Sequence, residues 1–354
     1  MEKSKKKVVI VDGYGFIFRA FFSLADFKTS KGEPVGAVYG FINMILKVLN
    51  SLNPEYLIVV FDSGKKTFRS DLYPEYKAHR KEAPDDLKPQ FAIVREAVKA
   101  MNINFAQTDG FEADDIIATY SKIAEKEGFG CIIVSSDKDL MQLTKDEIIE
   151  FYDPMKGKFV KEADVEAKFG VKPLQVRDFL SILGDASDNI PGIKGIGEKG
   201  ASELLREFNT LEGIYDNLEK ITKPRLKKLL EEGREMAFLS QKLASLHFDV
   251  KVAPIEEFKL KPFNKSVLYD FLSRYELNSI IAKLVPEYSK AQIDLFDVKP
   301  NNEKEEILQI TDTKNLKDFL ESIKGNQVIF EAKDNDLMIV AEGDSALVKN
   351  WWAE

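Results

Sequence analysis

The chain has 354 residues, 44% hydrophobic and 31% charged, an ordinary mixture for a globular protein of two or three domains. Its formal charge of -8 argues against a uniformly basic nucleic-acid coat, although such a sum still allows basic strips beside an acidic pocket. The single cysteine, Cys131, excludes an internal disulfide and no stretch approaches a membrane span, so a cytoplasmic protein without a membrane partner is expected.

Lys3–Lys7 before Val8–Val11 superficially resembles a secretion signal, but the apolar run is short and ends at Asp12-Gly13. It reads instead as a buried strand. Tyr56–Phe61, Ile103–Phe105, Cys131–Val134 and Ile148–Tyr152 read the same way, with amphipathic stretches Val38–Leu52, Phe91–Met101 and Ala113–Glu127 between them. This alternation predicts an α/β domain over 1–170 with a largely parallel sheet, whose ligands bind beyond the carboxyl ends of the strands. Over 171–287 helical spacing dominates, at Leu174–Leu183, Ala201–Phe208, Arg225–Leu230 and Arg234–Leu246. A linker is expected at 288–306. Ile307–Thr311, Leu316–Ile323 and Val328–Phe330 then read as strand, helix and strand. Residues 307–354 are too few for an α/β domain of their own, so the chain is expected to end inside an incomplete one.

Carboxylates recur at the ends of these elements. Asp12 directly follows one apolar run and Asp62 another; each is either a turn residue or helix cap, or a ligand at a strand end. Glu112, Asp114 and Asp115 open the helical stretch after Ala113, where acidic groups also suit the helix dipole. Asp114 and Asp115 cannot point the same way, so one should face a pocket more directly. Asp137 and Asp139 follow the fourth strand, with Ser136 or Asp137 able to cap a helix near Leu140. Asp185 and Asp188 follow the apolar helix that ends at Leu183. So many like charges at one sheet edge would repel strongly without cations. Hard oxygen donors without a His or Cys cluster favour Mg²⁺ or Mn²⁺, and a two-metal phosphodiesterase site explains the set economically.

Two stretches suit DNA. Lys65-Lys66-Thr67-Phe68-Arg69 and Tyr73–Lys81 interleave basic and aromatic residues. If Tyr76–Lys81 is helical, Tyr76 and Arg80 share a face with Lys77 beside them, for phosphate contacts and stacking on an unpaired base; a solvated charged loop is the alternative. Gly192-Ile193-Lys194-Gly195-Ile196-Gly197-Glu198-Lys199 leads into the helix at Ala201. Its glycines allow close backbone approach, and Lys194 and Lys199 add charge, the pattern of a helix–hairpin–helix that grips a DNA backbone. A purely structural turn between helices would read alike.

Taken in order, Val11-Asp12-Gly13, Phe61-Asp62, Tyr76–Arg80, Gly110–Asp115, Ser136–Leu140, Gly184–Gly192 and Gly195–Lys199 resemble the 5′ nuclease region of bacterial DNA polymerase I, within the flap-endonuclease and PIN-like superfamily. The resemblance runs over roughly 6–290. It implies a PIN-like parallel-sheet domain, a helix–hairpin–helix region and two divalent ions at the nine carboxylates. It implies a mobile arch around Tyr76–Arg80, in which Lys77 and Arg80 polarise the scissile phosphate, and a K⁺ ion at the hairpin. The implied substrates are 5′ flaps, nicked or gapped duplex and RNA primer ends, cut by a monomer during replication and repair with a polymerase in cis or in trans. Residues 307–330 resemble only the start of a proofreading domain, and Glu331-Ala332-Lys333 stands where an Asp-x-Glu pair would be needed. A non-catalytic junction-binding module and a PIN-type ribonuclease are the rival readings.

Overall fold

The computed structural model describes residues 6–288 and, beyond them, Glu321 and the segments 308–310, 328–333, 336–341 and 344–348. Residues Met1–Ser289 form one compact unit and Lys290–Glu354 a second.

In the first unit, β1 (Lys7–Asp12), β2 (Tyr56–Val60), β3 (Phe105–Ala106), β4 (Gly130–Val134), β5 (Ile149–Asp153) and β6 (Lys158–Val160) make one sheet in the order β3-β2-β1-β4-β5-β6. All neighbours are parallel except the edge pair β5–β6. The edge strand β6 had no counterpart among the expected strands. Because side chains alternate along a strand, Val8 and Ile10 enter the core on one face, and Val9 and Val11 that on the other. Helices cover both faces, which is why the strands read as continuous apolar runs.

Register decides where the carboxylates fall. Asp12 is level with Val60 and Val11 with Val134, so Asp62 and the Ser135–Asp139 segment emerge at the same sheet edge as Asp12. The helices α1 (Gly13–Ser23), α2 (Gly36–Leu52), α3 (Phe68–Leu72), α4 (Gln90–Ala100), α5 (Ala113–Glu127) and α6 (Glu162–Phe169) connect or follow the strands.

The helices α7 (Val176–Leu183), α8 (Glu198–Phe208), α9 (Leu211–Asp216), α10 (Pro224–Ala244), α11 (Lys265–Arg274) and α12 (Asn278–Leu284) follow. Val176, Phe179, Leu205 and Leu243 pack into the same cluster as Ile10 and Ile58, while Leu268 and Phe271 join the cluster on the opposite face.

Three local expectations are corrected. Arg225–Leu230 and Arg234–Leu246 are not separate helices: one continuous helix, α10, runs through both and ends at Ala244. Gly233 costs that helix about 1 kcal/mol relative to Ala, but it faces Ile193, whose Cγ2 would lie 2.6 Å from any added Cβ. Tyr76–Lys81 is not helical: it forms turns, and Lys77 takes a left-handed φ of 57°. The helix expected near Leu140 is a short 3-10 turn, Asp139–Leu143, whose first amide donates to Asp137 Oδ1.

In the second unit, β7 (Leu308–Ile310), β8 (Val328–Lys333), β9 (Asp336–Ala341) and β10 (Asp344–Val348) form a sheet in the order β7-β10-β9-β8. Glu331-Ala332-Lys333 lies on β8. The helix expected at 316–323 lies outside the described residues, apart from Glu321, which is helical.

Candidate active site

A cavity of about 520 Å³ opens at the carboxyl edge of the sheet. Asp12, Asp62, Glu112, Asp114 and Asp137 line it, together with Lys77, Arg80, Lys138 and Lys168. Parallel strands bring their ends to one edge, so residues distant in sequence converge there.

Several of these acids also serve the local fold, so the cap and ligand readings do not exclude one another. Asp12 Oδ1 accepts the Gly15 amide at the start of α1, and its Oδ2 accepts the Ser135 hydroxyl at 2.9 Å. Asp62 Oδ1 accepts the Ala113 amide at the start of α5. Asp114 has no hydrogen bond among the described residues. Burial pushes the Asp12 carboxyl up to about 6, against the bonds from Gly15 and Ser135. Burial also raises Asp62, and burial followed by Asp137 holds Asp114 well above its ordinary value.

Asp139, Asp185 and Asp188 are not among the lining residues, but each bonds to or interacts with residues that are. Burial, then Asp137 and Asp185, push Asp139 up to about 7, and its buried Oδ1 has no hydrogen-bond partner among the described residues. Burial opposes ionisation of Asp185, but Lys138 at 2.7 Å and the Ser187 hydroxyl and amide hold it below the ordinary carboxylate value. Asp188 accepts from Arg80 and lies 3.5 Å from Lys77.

Asp115 is set apart. It is fully buried, and both its oxygens receive Arg69 at 2.7 Å, while the Glu112 and His247 amides donate to the same carboxylate. Of the two neighbouring acids, then, Asp114 faces the cavity and Asp115 faces the core. Arg69 was expected to meet DNA, yet it is 2% exposed and also donates to the Leu243 and Ser245 carbonyls. It ties the start of α5 to the end of α10.

Tyr76 was expected to stack on a base. It is buried instead, and its hydroxyl donates toward Glu112 and Asp188 at 3.1 and 3.3 Å; burial and then Glu112 raise its pKa. Lys77 donates to Glu112 at 2.9 Å. Burial would lower the Lys77 ammonium, but Glu112, Asp188 and Asp114 outweigh it, so the group stays charged. Lys65 and Lys66 are exposed, the former paired with Asp109.

In the hairpin between α7 and α8, Lys194, Gly195, Gly197 and Lys199 are exposed, and Gly197 caps α8. Gly192 is not available for close approach by a ligand. It is buried with φ 62°, and an added Cβ would sit 2.3 Å from the Gly184 amide nitrogen.

Several residues lay outside the sequence reading. Ser135 and Lys138 fall inside the acidic segment after β4, and the sequence alone assigns them no role; in the structure they bond to Asp12 and Asp185. Arg95 donates to the Asp62 carbonyl and packs against Phe61; nothing in its helical spacing marks that contact. Tyr14 and Phe18 also line the cavity.

The donor set suits a divalent cation. The acids are hard oxygen donors, several are buried where ionisation is unfavourable without positive charge, and Asp139 presents an unsatisfied oxygen. Among the described residues no three of these groups close into a ready-made cluster. No helix among the described residues is long and apolar enough to cross a membrane.

Comparison with known proteins identifies the family of the chain. Residues 7–170 match the family model "5'-3' exonuclease, N-terminal resolvase-like domain", and 171–266 match "5'-3' exonuclease, C-terminal SAM fold". The chain is 40% identical over 316 residues to DNA polymerase I of Caldicellulosiruptor bescii, covering 86% of this chain and 37% of that protein. It is 37% identical over 295 residues to a 5'-3' exonuclease of Aquifex aeolicus, covering 82% of this chain and all, 100%, of that protein. The chain thus spans little more than a third of the DNA polymerase I relative but the full length of the separate exonuclease. The fold is shared with the bacteriophage T5 D15 flap endonuclease solved with DNA and metal ions, at a TM-score of 0.58 and 22% identity over 82% of this chain and 99% of that one.

Proposed function

The chain belongs to the 5′–3′ exonuclease family, and on that footing we propose that it hydrolyses DNA phosphodiesters at 5′ ends and at 5′ flaps. One observation carries the reading: a single cavity in which Asp12, Asp62, Glu112, Asp114 and Asp137 face Lys77 and Arg80. We assign two Mg²⁺ or Mn²⁺ ions to these acids together with Asp139, Asp185 and Asp188. When bound, such ions supply the charge that activates water and stabilises the pentavalent phosphorus and the leaving oxygen.

The residues themselves account for the rest. Asp12, Asp114 and Asp139 sit where burial disfavours their charge, so they are poised to take up cations in exchange for protons. Asp115 does not ligate in this reading; it locks Arg69, which in turn reaches Glu112 at 3.4 Å. Lys77 and Arg80 hold positive charge at the cavity and exchange Glu112 and Asp188 for an arriving phosphate. Tyr76 keeps those two acids in place. Lys194, Gly195, Gly197 and Lys199 grip the duplex backbone, with K⁺ at the hairpin, and Lys65 and Lys66 add charge beside the cavity. We read 1–170 as the nuclease domain and 171–287 as the duplex-holding region. The substrates would be flaps, nicked or gapped duplex and RNA primer ends, met by a cytoplasmic monomer with a polymerase in cis or in trans.

The test is a labelled 5′-flap duplex with and without Mg²⁺, beside a matched RNA flap. Cleavage of the DNA flap only with the ion is expected, and Asp137→Ala should slow it at least about 100-fold. Undiminished cleavage by that variant would remove the site assignment. Tight binding with no cleavage would leave a junction-binding module, and preference for RNA a ribonuclease.

A further inference from the structure

Three cations of the cavity are already matched by carboxylates. Lys77 meets Glu112 and Asp188, Arg80 meets Asp188, and Lys138 meets Asp185. The fourth, Lys168, stands on the last turn of α6, lines the same cavity and is exposed. Among the described residues it has no ion pair. Its ammonium lies 3.7 Å from the Met141 sulfur and 5.3 Å from the centroid of the Phe169 ring.

Its electrostatic surroundings differ from those of Lys77. Burial, then Lys156 and Lys138, lower Lys168, with Asp137 and Asp139 acting in its favour. Lys77 answers instead to Glu112, Asp188 and Asp114. The two cations therefore attend different parts of one acidic cavity. The chain path explains this separation. Asp137 and Asp139 follow β4, and α6 follows β6 on the same side of the sheet, whereas Lys77 lies in the loop after α3. An arriving phosphate must displace a carboxylate from Lys77 or Arg80, but not from Lys168, so none of its attraction there is spent on breaking an ion pair.

We propose that Lys168 binds a backbone phosphate of the substrate strand on the Asp137–Asp139 side of the cavity, while Lys77 and Arg80 hold the Glu112–Asp188 side. The strand is then gripped on both sides of the bond to be cut. The proposal rests on the nuclease reading. Because the phosphate held by Lys168 is not the one attacked, its contact is equally strong before and during the reaction. It contributes to binding and leaves the chemical step alone.

The experiment compares wild type, Lys168→Ala and Lys168→Arg on the labelled 5′-flap duplex. Affinity is measured in EDTA over a salt series, and KM and kcat are measured with Mg²⁺. Lys168→Ala should weaken binding roughly tenfold and reduce the slope of log K against log salt by about 0.9. It should raise KM while kcat stays within about twofold, and Lys168→Arg should restore both. Lys168→Gln, which keeps a stem near the Phe169 ring, is read the same way should the alanine variant lower Tm. An unchanged slope, or a loss confined to kcat, overturns the proposal. Failure of the wild type to bind or cut the flap overturns the nuclease reading as well. Normal binding and cutting by wild type and Lys168→Ala alike removes only the role given to Lys168.

Discussion

Replacing Arg69 by methionine removes the cation that neutralises Asp115 inside the protein. Arg69 is 2% exposed and Asp115 not at all, and the pair is held by two contacts of 2.7 Å. Breaking a buried pair of this kind costs about 3–5 kcal/mol, because the remaining charge is left in a medium that solvates it poorly. The Glu112 and His247 amides would still donate to Asp115, which favours the lower end. The freed Leu243 and Ser245 carbonyls push the other way. The assay is urea unfolding of wild type, Arg69→Met, Asp115→Asn and the double variant, comparing midpoints where the m-value is unchanged. The double variant should cost clearly less than the sum of the two single ones. Additivity within about 0.5 kcal/mol would refute the ion-pair account. At temperatures where Arg69→Met stays folded, kcat should fall more than KM rises, since Arg69 also steadies Glu112 at the cavity.

Lys77→Ala removes the charge facing Glu112 and Asp188; single-turnover cleavage should slow by about 10²–10³-fold with little change in flap affinity in EDTA. The raised carboxyls set a pH dependence. Burial pushes the Asp12 carboxyl up to about 6 and the Asp139 carboxyl up to about 7 in the folded protein, above the ordinary carboxylate value of 3.8. Their contribution is full below that lower value and is lost as pH rises through 6 and 7. Thermal melts in EDTA should therefore show Tm falling between about pH 4 and pH 7 and levelling above that, with Mg²⁺ restoring it at pH 8 and having little effect at pH 5. Gly192→Ala should destabilise by more than about 1 kcal/mol, because its φ of 62° and the Gly184 amide leave no room for a Cβ. Gly197→Ala meets nothing within 4 Å, so a thermal melt should show a small loss, about 1 kcal/mol or less, from the weaker cap.

The α/β architecture was legible in the residues, because strands buried on both faces are written as unbroken apolar runs. An Asp directly after such a run must fall at the strand's carboxyl end, so the sequence alone puts Asp12 and Asp62 at one sheet edge. The exposed glycines and lysines of the hairpin were legible as well, since a positive φ and a helix start leave local marks. What the residues could not say is which way each charged side chain turns. Asp114 and Asp115 are adjacent, and about 100° of helical rotation sends one to the cavity and the other to the core. The deciding partner, Arg69, is joined to Leu243 across 174 positions of chain. Tyr76 and Gly192 have the residue types of ligand-facing positions, but Asp188, 112 positions away, takes up Tyr76, and the folded-back chain at Gly184 closes over Gly192. Lys168 carried no local sign, for a lysine in a helix's last turn usually faces water. Local pattern determines which element a residue joins; only packing between elements decides what its side chain meets.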